Sequence, residues 1–106
     1  MQRLPVLYHH EAGADLDNIF IYLVEQGASS STARSFVGRI KARCEGIGDV
    51  ARGFPARPDL GPGVRIAPFE HSAVILYRVS DEAVEIFRVF YGGRDYEAIM
   101  RGRPED

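Results

Sequence analysis

The stretch from Val64 to Tyr91 leaves this chain the fewest choices. Three apolar runs lie in it, Val64–Phe69, Ala73–Val79 and Val84–Tyr91, parted by Glu70-His71-Ser72 and by a break at Ser80-Asp81-Glu82. Val, Ile, Phe and Tyr dominate these runs, and such side chains suit a pleated, half-buried surface. Parallel neighbours need a crossover of about a dozen residues or more, which these breaks cannot hold. Antiparallel hairpins fit, so the stretch is expected to form a three-stranded meander carrying the core. In the last run, a period of two puts Val84, Ile86, Arg88 and Phe90 on one face and Glu85, Phe87, Val89 and Tyr91 on the other. Both faces are substantially apolar. One is expected to pack on helices and the other to be covered by the chain's own tail or by a partner.

The helices precede the meander. Leu16, Ile19, Phe20, Leu23 and Val24 recur at the spacing of an amphipathic helix that stops at Gly27. Glu11, Asp15 and Asp17 cluster early in it, where negative charge suits the helix dipole. Ser29, Ser30 and Ser31 are candidate N-caps for a second helix with an apolar stripe of Ala33, Phe36, Val37, Ile40, Cys44 and Ile47. Gly53 and Pro55 end it, and Gly53 to Gly63 reads as a loop. The short link between the helices predicts an antiparallel hairpin. Leu4 to His9 is a strand candidate, and Pro5 confines it to an edge or a strand start. Asp95 to Met100 is a short helix candidate. The fold class is therefore α+β: an N-terminal strand, a two-helix hairpin, the meander and a short tail. Residues 1–106 are expected to form one domain.

Composition narrows the function classes. A formal charge of −2 supplies no global basic field, so sequence-specific nucleic-acid binding by this chain alone is not expected. No apolar run approaches the roughly 20 residues of a membrane helix, and the first residues lack the apolar core of a signal peptide. Cys44 is the only cysteine, which excludes an internal disulfide and fits a reducing, cytoplasmic setting.

Little points to catalysis. His9 and His10 are neighbours and in a strand point to opposite faces, so they cannot share one ion. No CxxC, HxxxH or carboxylate cluster supports a metal, and no Gly-rich strand-to-helix turn supports a phosphate-binding cofactor. No metal, cofactor or catalytic residue is expected. Arg65, Arg78, Arg88 and Arg94 recur along the meander and its exit, with Tyr91 beside the Gly92-Gly93 break. They could stabilise a phosphodiester, pair with Glu85, Asp59 or Asp95, or anchor a protein partner. No His, Lys or Glu is clearly poised as a base beside them, which makes catalysis the weakest of the three.

The chain resembles the ParE branch of the ParE/RelE toxin superfamily over nearly its whole length. The resemblance is carried by Ala14-Asp15-Leu16 with Ile19 and Tyr22, by Ala33 with Phe36 and Ile40, and by Pro58-Asp59-Leu60. It continues through Gly63-Val64-Arg65, Ile75-Leu76-Tyr77-Arg78-Val79, Val84 to Gly92 and Arg94-Asp95. It implies a helical hairpin on a small, mainly antiparallel sheet. It also implies a bacterial toxin that poisons DNA gyrase as an inhibitor rather than an enzyme, silenced by a ParD-type antitoxin in a hetero-oligomer.

On that resemblance, Arg65, Arg88, Tyr91 and Arg94 are candidates for target contact or its scaffold. Leu16, Ile19, Phe20, Leu23, Phe36, Ile40 and Arg78 are candidates for antitoxin binding. The alternative is the RelE branch, whose members are ribosome-dependent messenger RNA endoribonucleases. Arg94 falls where one of their arginines sits, but Val74 and Met100 stand where another arginine and a tyrosine would be. Tyr96 is close enough in sequence to substitute for the latter. Tyr91 stands where ParE-like chains commonly have a His.

Overall fold

The computed structural model describes residues 3–93 and 95–102. The chain runs β1 (Val6–Tyr8), α1 (His10–Glu25), α2 (Ser30–Ile47), a 3-10 turn at Pro58–Leu60, β2 (Arg65–Phe69), β3 (Ala73–Val79), β4 (Val84–Tyr91) and α3 (Tyr96–Met100). The meander forms as the apolar runs predict. β2 and β3 pair antiparallel from Arg65↔Tyr77 to Phe69↔Ala73. Their turn sets Glu70 and His71 at φ 46° and 57°, the left-handed pair that a tight hairpin of matching twist demands. β1 adds to the far side of β4, parallel to it, in the register Val6↔Val84 to Tyr8↔Ile86. The sheet order is β1-β4-β3-β2, so β1 is an edge strand with Pro5 just before it.

Strict alternation fails in β4. The β3–β4 register slips between Leu76 and Tyr77: Leu76 faces Arg88, whereas Tyr77 faces Ile86. Phe87 is the extra residue of a β-bulge. Beyond it every side chain changes face. Val89 and Tyr91 therefore join Val84 and Ile86 on the helix side, and Phe90 joins Phe87 on the other. This corrects the two-face grouping expected from an unbroken period of two.

Both faces are covered. On the helix side, Leu16 and Ile19 of α1 and Ile40, Cys44 and Ile47 of α2 pack on Ile75, Tyr77, Ile86 and Val89. Full burial of a side chain such as Ile40 or Ile75 contributes about 1.5–3 kcal/mol. On the far side, Leu60, Val64, Leu76, Phe87 and Phe90 form a second cluster, roofed by Tyr96, Ile99 and Met100. The tail thus supplies part of the cover that the apolar second face required. Ser29 caps α2 by accepting from the Thr32 N–H at 3.0 Å. At the other end of α2, Gly48 lies so close to β1 that an added Cβ would collide with the Leu4 carbonyl oxygen. Among the described residues no helix is long and apolar enough to cross a membrane.

Candidate functional site

β1 is three residues long and stops opposite Ile86. From Phe87 onward, β4 therefore has no strand on that side. A bare edge exposes unpaired backbone groups. Asp15, reaching from α1, fills the gap. Its Oδ2 accepts from the Val89 N–H at 2.9 Å and from Arg88 Nε at 2.8 Å, and its Oδ1 accepts from Arg88 Nη2 at 3.1 Å. Asp15 is the one buried charged residue among those described. The Arg88 guanidinium also lies 4.5 Å from the centre of the Phe90 ring and 3.7 Å from Glu11. The bidentate geometry and the backbone donor satisfy most of the carboxylate, which is how a charge is tolerated at such depth.

Beside this lock runs a groove of about 260 Å³, bounded by Asn18, Ile19 and Tyr22 of α1 and by Val89 and Tyr91 of β4. The Tyr22 and Tyr91 rings meet edge to face at 5.9 Å. Phe36 continues the row, 5.4 Å from Tyr91 and 5.7 Å from Phe69. The outward side of α1 is also apolar near its end. Ile21, Tyr22 and Val24 are 51%, 46% and 38% exposed, and Phe20 is half-buried. These large apolar side chains stand exposed together on one helix.

The structure separates the candidates. Leu16, Ile19 and Ile40 are buried in the helix-side core, while Leu23 and Phe36 are half-buried against it. The accessible apolar residues of α1 are Phe20 and the neighbours Ile21, Tyr22 and Val24. Arg88 and Tyr91 both lie on β4 and meet α1 separately: Arg88 pairs with Asp15, and Tyr91 packs edge to face on Tyr22. Arg65 lies elsewhere, donating to the carbonyl oxygens of Phe54 at 2.6 Å and Arg52 at 3.3 Å. Arg78 is on the far face, donating to the Pro62 carbonyl at 2.8 Å with its guanidinium 4.6 Å from the Phe87 ring centre. Arg94 lies outside the described residues.

Sequence reasoning missed Asp15 as a lock, and Ile21, Tyr22 and Val24 as surface. The signal for the latter was present: Ile19 to Val24 is apolar without interruption, and a helix apolar all round needs cover on more than one side.

The remaining chemistry is structural. The Cys44 thiol is buried, and burial pushes it up to about 12. Desolvation likewise raises the Tyr8 hydroxyl, which donates to Glu45 at 3.2 Å. His9 pairs with Glu85 at 2.9 Å on the sheet surface. Val74 and Met100 pack against the second cluster, and Tyr96 stacks on Phe90 at 6.2 Å. Among the described residues no group of His, Cys, Asp and Glu could hold a metal ion. The arrangement leaves an apolar, aromatic surface open at the end of α1 and beside β4.

A family model and a solved structure place the fold. The chain matches a family model described as the ParE toxin of the type II toxin-antitoxin system parDE, over residues 6–96. A solved structure, described as a chromosomal ParDE TA system from P. aeruginosa, is similar with a TM-score of 0.73 and 26% identity, covering 84% of this chain and 96% of that one. The solution structure of the conserved hypothetical protein HP0894 from Helicobacter pylori gives a TM-score of 0.42 at 16% identity, over 83% of this chain and 93% of that one, and no conclusion rests on it. A search of curated proteins finds no match. With a helical hairpin on a four-stranded sheet, and a match that runs from the first residue of β1 to the first residue of α3, the chain belongs to the ParE toxin family of type II toxin-antitoxin systems.

Proposed function

We propose that this chain is the toxin half of a parDE-type pair: a protein inhibitor of DNA gyrase, acting in the cytoplasm and silenced by a ParD-type antitoxin. The observation that carries the reading is the family match over residues 6–96. The antitoxin is assigned to the exposed end of α1 and the adjoining groove at the β4 edge. An amphipathic segment laid there would cover Ile21, Tyr22 and Val24 by helix-in-groove recognition. Segments of this kind are commonly disordered alone and fold on binding.

The ribonuclease alternative has less support. The half-buried Val74 and the packed Met100 stand at two positions where RelE-like chains carry working side chains, and Tyr96 is engaged with Phe90. The test is direct. Folded protein, freed of antitoxin, is added to gyrase and plasmid. The expected result is blocked supercoiling with trapped cleaved DNA, reversed by the antitoxin. Unchanged supercoiling and no trapped cleavage would refute the gyrase assignment. Codon-phased new 5′ ends in translated messages would establish the ribonuclease instead.

A further inference from the structure

We propose that the partner segment on α1 is a cationic amphipathic helix, with an apolar stripe over Ile21 and Val24 and Lys or Arg residues facing Asp17 and Glu25. This rests on the antitoxin reading above and specifies the chemistry of the partner.

The charge pattern of α1 is one-sided. From His10 to Glu25 it carries Glu11, Asp15, Asp17 and Glu25 and neither Lys nor Arg. Two of these acids have local work: Asp15 binds Arg88, and Glu11 lies near the same guanidinium. Asp17 and Glu25 are exposed and make no ion pair among the described residues. Helical spacing sets Ala14, Asp17, Ile21, Val24 and Glu25 on the outward face, so the apolar patch has a carboxylate toward each end. Glu25 is also badly placed for an isolated helix. It closes α1 at the negative end of the dipole, in a last turn that has no basic residue. Local arrangements that work against stability mark functional surface, and a cation brought by a partner would relieve this one.

The geometry sets a spacing. Asp17 and Glu25 are separated by about 12 Å along the axis at the rise of an α-helix. A partner helix lying along α1 therefore places its two cations seven or eight residues apart, with apolar residues on the same face between them. Lys41 of α2 lines the same cleft as Asp17 but forms no ion pair with it, so the Asp17 carboxylate remains open to a partner's cation.

The experiment uses the full chain and two kinds of probe. One is the protein encoded by the adjacent antitoxin reading frame. The other is a pair of labelled 18-residue model helices that share one Leu stripe and carry either Lys or Glu at two positions eight residues apart. The variant is D17K/E25K, exposed at both sites and checked for a melting midpoint no lower than that of the natural chain. The Lys helix is expected to bind the natural chain, with affinity falling about tenfold on charge reversal and falling again as salt is raised. The Glu helix is expected to prefer the variant. Ile21→Asp should weaken every probe that binds.

Equal binding of both helices to the natural chain overturns the proposal. So does antitoxin affinity that is indifferent to D17K/E25K, which leaves the antitoxin reading standing. Failure of the antitoxin to bind the folded natural chain sinks that reading, and the model helices then decide the surface chemistry alone. Concentration-dependent self-association that D17K/E25K abolishes and the Lys helix cannot displace would assign the acidic face to α2 of a second copy, also overturning the proposal.

Discussion

The Asp15 lock can be tested quantitatively. Asp15→Ala removes the acceptor of two Arg88 hydrogen bonds and of the Val89 N–H. It leaves a guanidinium whose side chain is only 17% exposed without its main counter-ion. Breaking one partner of a fully buried pair costs about 3–5 kcal/mol. Here water reaches both groups at their margins, and Glu11 remains within 3.7 Å of Arg88. The expected loss is therefore about 2–4 kcal/mol. In a domain of this size each kcal/mol moves the melting midpoint by about 4 °C or more, so a fall of about 10–20 °C is predicted. Asp15→Asn retains an acceptor for Val89 and should lose about half as much. Asp15→Ala combined with Arg88→Met removes the stranded cation and should recover about 1 kcal/mol or more over the single variant. Urea unfolding followed by far-UV circular dichroism measures all three, with an unchanged m-value as the check on comparability. A loss for Asp15→Ala of no more than about 0.5 kcal/mol, the range of ordinary surface substitutions, would refute the lock. Strict additivity in the double variant would refute the coupling.

Three further predictions follow from other parts of the fold. Gly48→Ala should destabilise by about 1–3 kcal/mol, because the new Cβ meets the Leu4 backbone, which cannot swing aside. Gly46→Ala, which points into open space in α2, is the control and should be neutral or stabilising by up to about 1 kcal/mol in the same urea series. Cys44 should resist alkylation at pH 8 in the native protein and react promptly in denaturant, since burial holds its thiol at about 12. Asp59 is held well below the usual carboxylate range, first by Arg57 and then by Arg101. Because the native value is depressed, its contribution is complete above the unfolded value of about 4 and is lost as pH falls through the native one. Amide chemical shifts of Tyr96–Met100, the helix tied to this cluster by Arg57–Glu97, should stay constant from pH 7 to below the unfolded value of about 4 and move only as pH falls on toward the depressed native one. In Arg57→Ala that acid transition should shift upward, and an identical titration in both proteins would contradict the pairing of Arg57 with Asp59.

Much of the fold was legible because short polar breaks between β-rich runs admit few topologies. β2, β3 and β4 start and end within a residue of the apolar runs, and Ser29 proved to be the cap among the three serines. What escaped was context. A bulge at Phe87 leaves no mark in a period of two, yet it reverses the faces of every residue after it. Asp15 looked like one of three acids favouring a helix start, and only the early stop of β1 makes it the partner of a strand edge. Arg65 and Arg78 looked like working cations but donate to backbone carbonyls whose position depends on the folded loop. Helical periodicity, by construction, selects the face that builds the core. Leu16, Ile19 and Ile40 satisfy it and are buried, whereas Val24 satisfies it yet is exposed, and the exposed Ile21 lies off it.

The parallel pairing of β1 with β4 joins opposite ends of the chain, Val6 with Val84. Contacts so distant in sequence close late, because the entropy of the intervening loop must be lost before they contribute. During synthesis, the first strand and the α1 lock on Val89 must wait for residues close to the C-terminus. The hairpins of the meander are local and can close by themselves, but the edge on which α1 is seated exists only once β4 is made. A chain cut short before β4 therefore lacks the whole seat rather than part of it, and a cell that aborts translation of this protein releases fragments in which α1 has no strand edge to lock onto.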